Sequence, residues 1–164
     1  VNILQPGPGV GGHCIAVDPW FIVSSVPEEA KIIKMARDVN DGKPAWVVEQ
    51  VKSALEGKES PVVAALGLAF KNDIDDLRES PALNIVKTLG EENPELDIRV
   101  VEPNVVELPD SLSSVSNLKK QELEIAVRDA DLVLLLVNHK EFLQMDTSLL
   151  EGKSVIDTKG IWRS

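Results

Sequence analysis

The sequence lacks several features that mark other classes of protein. Its single cysteine, Cys14, cannot form an internal disulfide, and this favours a cytoplasmic protein. Basic residues are scarce, since 17 lysines and arginines stand against 27 aspartates and glutamates. The net charge of −10 argues against nucleic acid and against an anionic membrane as partners. No apolar run approaches the roughly 18 residues of a membrane span, and no basic segment leads into an apolar one as in a signal peptide.

The composition is that of a folded protein. Of the 164 residues, 43% are apolar, which rules out intrinsic disorder and fibrous repeats. The length indicates one domain plus part of another. The chain begins at Val1 rather than at Met, and candidate catalytic residues occur before any complete folding unit. We therefore expect the chain to be the C-terminal part of a longer protein.

The first third of the chain predicts an irregular segment followed by helix. Residues 1–21 are rich in glycine and proline and predict a mostly irregular N-terminal segment. Residues 28–56 follow a helical period and predict one kinked helix or two consecutive ones. The apolar residues of this segment, Trp46 among them, exceed what one small domain can cover, so we expect the segment to pair with its copy in a second chain. The polar stretch 56–60 predicts a boundary that divides residues 1–57 from residues 58–164.

The rest of the chain alternates between strands and helices. Short apolar strands are predicted at 62–66, 98–101, within 131–137 and at 154–157. Helices are predicted after the Ser80-Pro81 cap and over 119–129. Such alternation predicts an α/β fold with a doubly wound, mostly parallel sheet.

A glycine-rich loop near the N-terminus is the densest cluster of candidate site residues. Its four glycines allow close approach of a ligand to backbone N–H groups: Gly7, Gly9, Gly11 and Gly12. A dinucleotide fingerprint would have to follow a strand and open a helix, and no helix start is apparent here. A plain surface turn is the alternative.

Cys14 follows this loop directly and is a candidate nucleophile. His13 is adjacent, but neighbours in sequence need not point the same way, so a Cys–His pair does not follow. Asp18 could position a water molecule or bind a hydroxyl group. The alternative for Cys14 is a buried structural residue, as most free cysteines are.

Further candidates follow the predicted strands, at the sheet edge where α/β proteins bind ligands. Residues 67–81 contain Lys71 and Arg78 among four acids, and a solvated charged loop is the alternative. Residues 157–160 follow the last strand. His139 follows the third strand, where a structural role is the more common one for a histidine. Glu102 stands where a dinucleotide fold has its ribose-binding acid, but no glycine fingerprint accompanies it.

Together these motifs resemble the UDP-glucose/GDP-mannose dehydrogenase family. The resemblance extends along nearly the whole chain, and the order and spacing of the pieces make it specific. The segments that carry it are PGPGVGGHCIAVDPWFIV, ARDVNDGKP, GLAFKNDIDDLRESPAL, VVEPN and VIDTKGIWR. Within the family, the similarity is closest to members that act on UDP-N-acetylmannosamine, although those acting on the N-acetylglucosamine and glucose compounds share the motifs.

The resemblance implies a fold and a reaction. It implies a central helical segment that forms a homodimer and a Rossmann-like C-terminal domain that binds the UDP-sugar, with the NAD fingerprint and a catalytic lysine upstream. The reaction implied is the NAD-dependent oxidation of a sugar C6 hydroxyl to a carboxylate in two hydride transfers, through a cysteine thiohemiacetal and thioester. Without its NAD domain, the chain is expected to be inactive. A nonenzymatic nucleotide-sugar-binding or dimerisation module is the alternative, and a thiol-dependent acyl-transfer enzyme is a weaker one.

The resemblance also implies roles for individual residues. Cys14 matches the nucleophile and Asp18 the acid that activates water. Arg78 matches a residue that reaches NAD. The lysine at 159 stands where the family often has an arginine, and it lacks the forked geometry of that side chain. The residues implied to bind the nucleotide sugar are Gly7, Gly9, Gly11, Gly12, His13, Phe70, Lys71 and Lys159.

Overall fold

A computed structural model of the chain describes residues 5–162. Three helices come first, followed by strands that alternate with helices. The helices are α1 (Cys14–Ser25), α2 (Lys31–Asp41), α3 (Lys43–Ala54), α4 (Pro81–Glu92), α5 (Asp110–Ser113), α6 (Leu123–Asp129) and α7 (Lys140–Leu143), with a 3-10 helix at Thr147–Leu150. The strands are β1 (Val62–Leu66), β2 (Asp97–Val101), β3 (Leu118–Lys120), β4 (Leu132–Leu135) and β5 (Ser154–Asp157).

The five strands form one parallel sheet in the order β3-β2-β1-β4-β5. This is the order of a Rossmann-like doubly wound sheet, so the predicted fold class is confirmed. The order reverses between β1 and β4, and ligands of such sheets bind outside the carboxyl ends of the strands at this switch point. The loops that follow β1, β4 and β5 therefore meet at the edge where the candidate residues lie.

Alternating residues of the strands point to opposite faces of the sheet and are buried under different helices. Val63 and Ala65 of β1 pack into a core formed with α3 and α4. Ala64 and Leu66 pack into a second core, formed with α6 and Phe142. The helix α4 begins as predicted, because the Ser80 hydroxyl accepts a hydrogen bond from the Leu83 N–H and donates one to the Leu68 carbonyl.

Two secondary-structure predictions are wrong. The N-terminal segment predicted to be irregular over residues 1–21 ends earlier, because α1 begins at Cys14 and continues through Pro19. Pro19 has no N–H to donate, but hydrogen bonds before and after it maintain the helix, from the Val17 N–H to the His13 carbonyl and from the Val26 N–H to the Ile22 carbonyl. The segment 119–129 is not one helix: residues 118–120 form the short edge strand β3, and α6 begins at Leu123.

The segment 28–56 forms two consecutive helices that meet at Gly42. The first of these, α2, exposes its apolar face: the side chains of Ile32, Met35 and Val39 are 85%, 63% and 69% exposed. The second, α3, buries its apolar side against the sheet. The division at residues 57 and 58 stays a prediction. Among residues 5–162, no helix is long and apolar enough to cross a membrane.

Candidate functional site

The glycine-rich loop lies against the two other candidate loops at the carboxyl edge of the sheet. A Cβ atom at Gly7 would lie 3.0 Å from Lys159 Nζ, in the turn after β5. A Cβ atom at Gly9 would lie 3.1 Å from the Pro81 ring, at the end of the loop after β1. The three segments that sequence analysis selected separately are therefore neighbours in the fold.

Only glycine fits at two positions beside Cys14. At Gly11 a Cβ atom would lie 2.6 Å from Pro81 Cδ and closer still to the Glu79 carbonyl oxygen. At Gly12 it would lie 3.0 Å from the Phe70 ring, and the φ of +80° there is one that side chains rarely adopt. The absence of side chains at these positions lets the loop contact the Phe70 segment directly.

The loop is also tied to α2. The Asn40 side-chain oxygen accepts a hydrogen bond of 3.0 Å from the Val10 N–H. Asn40 lies near the end of α2, within the segment ARDVNDGKP that carries part of the family resemblance. That segment is the signal in the sequence from which a contact with the glycine loop could have been predicted.

Two cavities lie beside the loop. The larger has a volume of about 680 Å³ and is bounded by the loop, the α2–α3 corner and the turn after β5. It brings together Gly7, Gly9 and Lys159 with three residues that sequence analysis did not assign to a site: Asn40, Lys43 and Trp46. The Lys43 ammonium lies 3.5 Å from the centre of the Trp46 ring, a cation–π contact.

The smaller cavity, of about 300 Å³, contains the candidate nucleophile. Cys14 is exposed and is the first residue of α1. The predicted site residues that share this cavity with it are Gly11, Gly12, His13, Phe70 and Arg78. The alternative of a buried structural cysteine is therefore wrong.

Asp18 and Lys71 are not among the residues that line either cavity, and both are exposed. Asp18 lies four residues after Cys14 on α1, so the two side chains share one face of that helix. Within the described residues 5–162, no ring nitrogen or carboxylate is hydrogen-bonded to the Cys14 thiol. The arrangement therefore lacks the preformed Cys–His pair that an acyl-transfer enzyme would show.

The turn that carries Lys159 is fixed by one carboxylate. Asp157 accepts hydrogen bonds from the N–H groups of Lys159, Gly160 and Trp162 at 2.9, 2.7 and 2.9 Å. Burial lowers the pKa of Lys159. An ammonium group that is half-buried beside a glycine loop is suited to bind an anionic ligand.

Arg78 is fixed in a similar way at the smaller cavity. Its guanidinium binds both carboxylate oxygens of Asp76, with Nε at 3.0 and 3.1 Å. These hydrogen bonds lower the pKa of Asp76 to about 2. The Arg78 side chain nevertheless remains 83% exposed, so most of its hydrogen-bonding capacity is accessible to a ligand.

Glu102 and His139 form a buried pair rather than part of a ligand site. His139 Nε2 lies 3.1 Å from the Glu102 carboxylate, and both residues are almost completely buried. The same carboxylate accepts hydrogen bonds from the N–H groups of Leu68 and Ala69 at 2.7 and 3.2 Å. In a dinucleotide-binding unit the turn after the first strand would present such N–H groups to a phosphate. Here a protein carboxylate occupies them, so this turn does not fit a dinucleotide.

The chain matches two domains of one known protein family. Residues 64–164 match the UDP binding domain of the UDP-glucose/GDP-mannose dehydrogenase family, and residues 1–42 match its central domain.

Individual relatives point to the same family, and this chain covers only part of the length of each. NDP-N-acetyl-D-galactosaminuronic acid dehydrogenase of Ralstonia solanacearum is 53% identical over 99% of this chain and 37% of its own length. UDP-N-acetyl-D-mannosamine dehydrogenase of Campylobacter jejuni is 58% identical over 90% of this chain and 36% of its own length. The solved UDP-N-acetyl-mannosamine dehydrogenase of S. aureus superposes with a TM-score of 0.76 at 40% identity, covering all of this chain and 38% of that one. The chain thus spans little more than a third of these relatives.

Proposed function

Because this chain belongs to the UDP-glucose/GDP-mannose dehydrogenase family, we propose that it is the nucleotide-sugar-binding portion of an NAD-dependent 6-dehydrogenase. The observation that carries the proposal is the meeting of three loops around Cys14: the glycine-rich loop, the loop after β1 and the turn after β5. We take UDP-N-acetylmannosamine as the substrate, since several relatives at 46 to 58% identity bear the name of the dehydrogenase for that sugar.

The substrate's diphosphate is assigned to the cations and backbone donors at this edge. Lys159 beside Gly7 supplies a half-buried positive charge, and Lys71 supplies an exposed one on the loop after β1. A local site of this kind is necessary because the chain as a whole is acidic and would repel an anionic substrate. The larger cavity has the volume of a small-molecule binding site.

Cys14 is assigned as the nucleophile of the second oxidation. Loss of a hydride from C6 and of a proton from its hydroxyl gives an aldehyde, to which the Cys14 sulfur adds to form a thiohemiacetal. Loss of a second hydride from C6 and of the thiohemiacetal hydroxyl proton gives a thioester. Water then cleaves the carbon–sulfur bond, which yields the carboxylate and regenerates the thiol. Asp18, on the same face of α1, is assigned to position and deprotonate that water molecule.

NAD, when bound, accepts both hydrides. The turn after β1 does not fit it, because Glu102 occupies the N–H groups there. Arg78 does fit, because its guanidinium is exposed, is fixed by Asp76 and lines the cavity that contains Cys14. We therefore assign Arg78 to a phosphate or ribose oxygen of NAD at the mouth of this cavity, and expect this chain alone not to turn over.

The exposed apolar face of α2 is assigned to a homodimer. Its three large apolar side chains are each more than half exposed, and Phe21 of the neighbouring α1 is 68% exposed. Exposed apolar surface of this kind marks an interface. Light scattering of the full-length protein at micromolar concentration is expected to give a dimer, and a monomer would contradict this assignment.

NADH release by the full-length protein against a panel of UDP-sugars tests the proposed function. We expect two NADH molecules per sugar and the highest kcat/KM for UDP-N-acetylmannosamine. One NADH per sugar would contradict the thioester route. Binding of UDP-sugars without NADH release would favour a nonenzymatic binding module instead.

A further inference from the structure

The buried pair Glu102–His139 lies directly under the segment that carries Phe70 and Lys71. Glu102 directly follows β2, and His139 follows β4. The two side chains therefore approach each other from strands on either side of β1. The reaction assigned to Cys14 and Asp18 uses neither Glu102 nor His139. Both are almost completely buried, a position that a charged carboxylate adopts only when its oxygens are hydrogen-bonded.

The pair binds the segment 68–73 at both of its ends. At the first end, Glu102 Oε2 accepts the N–H groups of Leu68 and Ala69. At the other end, His139 Nδ1 lies 2.9 Å from the Asp73 nitrogen and accepts its N–H. Phe70 and Lys71 lie between these two anchors.

The hydrogen bonds also determine the tautomer of His139. Because Nδ1 accepts from the Asp73 N–H, the ring proton is on Nε2, which donates to Glu102. Burial by itself raises the pKa of Glu102, but the hydrogen bonds from His139 and from Leu68 outweigh burial and leave that pKa below its ordinary value. The carboxylate is therefore ionised at neutral pH, and its other oxygen, Oε1, accepts the Asn104 N–H at 3.0 Å.

A second set of contacts fixes the same segment from the surface. The Asp73 carboxylate accepts the Lys140 N–H at 2.9 Å, and the Asp73 backbone has a φ of +59°. A non-glycine residue in this left-handed conformation is strained and persists only where its surroundings hold it. At the smaller cavity, Phe70 contacts Gly12 of the loop that leads to Cys14.

We propose that Glu102 and His139 are positioning residues for the nucleotide sugar: they fix both ends of the segment 68–73, so that Phe70 stays against the glycine loop and Lys71 stays at the diphosphate. This proposal rests on the proposed function, because it acts through residues assigned there to the substrate. Neither Glu102 nor His139 contacts the reacting atoms.

The test is steady-state kinetics of the full-length enzyme with His139→Gln. The glutamine amide is expected to keep donating to Glu102 and to lose the ring geometry by which Nδ1 accepts the Asp73 N–H. We expect the KM for the nucleotide sugar to rise about tenfold, with kcat changed less than about twofold and the KM for NAD unchanged. An unchanged KM for the nucleotide sugar in an active, folded variant would overturn the proposal.

A double-substitution cycle separates positioning from plain stabilisation. If His139 acts through Lys71, adding His139→Gln to Lys71→Met raises KM much less than it does in the wild-type background. Additive effects, or no effect of Lys71→Met alone, would contradict the route through Lys71. A wild-type enzyme that fails to oxidise any UDP-sugar would instead contradict the proposed function itself.

Two further variants keep the test decisive if His139→Gln does not fold. Asp73→Gly removes an exposed anchor of the same segment and tolerates the positive φ, and it is expected to raise KM in the same way. Asn117→Leu is the matched control: it removes a hydrogen bond of 3.0 Å to the Asn93 carbonyl at the opposite edge of the sheet. A similar rise in KM for Asn117→Leu, or none for Asp73→Gly, would show that the segment 68–73 has no particular role.

Discussion

Gly11→Ala is expected to displace the glycine-rich loop from the segment beside Cys14. The added Cβ atom would lie 2.6 Å from Pro81 Cδ, whereas non-bonded carbon atoms are most stable about 3.5–4.0 Å apart. Neither the proline ring nor the Glu79 carbonyl can rotate away, so the loop has to move by about 1 Å. Overpacking of this kind costs about 1–3 kcal/mol of stability, and a displacement of about 1 Å in an active site can lower the rate by about 100-fold.

The assay is kcat/KM for the nucleotide sugar, together with thermal unfolding of the full-length enzyme. Gly42→Ala is the matched control, because its Cβ atom would meet only the Asp38 and Val39 carbonyls at ordinary distances of 3.4 and 3.7 Å. Its φ of −77° suits alanine, so we expect unchanged kcat/KM and up to about 1 kcal/mol of added stability. Wild-type kcat/KM in Gly11→Ala would refute the reasoning, as would equal losses in both variants.

Three further predictions concern charge and domain structure. Because the pKa of Glu102 is lowered in the fold, its ionised form stabilises the protein fully above the ordinary carboxyl pKa of about 4.3, and this contribution is lost as pH falls through the lowered value. The difference in unfolding free energy between wild type and Glu102→Gln should therefore shrink from about pH 7 to about pH 3, and a constant difference would contradict this. Lys159→Met should raise the KM for the nucleotide sugar about tenfold and weaken its dependence on salt, whereas Lys153→Met, at the opposite edge of the sheet, should change neither. Limited proteolysis should cut first within the exposed segment 56–60 and leave 61–164 intact with α3 still packed against it, because α3 contributes to the core of that unit, while rapid digestion throughout 61–164 would contradict a folded C-terminal unit.

The parallel sheet could be predicted because its central strands are continuous apolar runs. Strands buried on both faces, such as Val62–Leu66 and Leu132–Leu135, are wholly apolar runs that are too short for a typical helix. The edge strand β3 gives no such signal: it has three residues, and two of them are exposed lysines. The helix α1 could not be predicted in the same way, because Pro19, a residue that usually disrupts a helix interior, lies within it.

The loops of the candidate site could be predicted from the sequence, but the contacts between them could not. The rule that ligands bind at the carboxyl ends of parallel strands points to the loops after β1 and β5, which the structure brings beside the glycine-rich loop, and the resemblance implies their roles. The contact between Gly7 and Lys159 joins residues more than 150 positions apart in the chain, and periodicity carries no information about such pairs. The pairing of Glu102 with His139 is of the same kind, since each follows a different strand and only the strand order makes them neighbours.

Covalent catalysis by Cys14 is tested most directly by Cys14→Ser in the full-length enzyme, incubated with nucleotide sugar and NAD. The substitution changes one exposed atom and leaves the Lys159 turn and the glycine loop intact. Formation of the sugar acid is expected to fall below about a tenth of the wild-type rate, a barrier increase of more than about 1.4 kcal/mol, while binding of the nucleotide sugar stays near wild type. A slowly hydrolysed serine ester would appear as added mass on the protein. Sugar acid formed at more than about a tenth of the wild-type rate would contradict the assignment of Cys14 as the nucleophile.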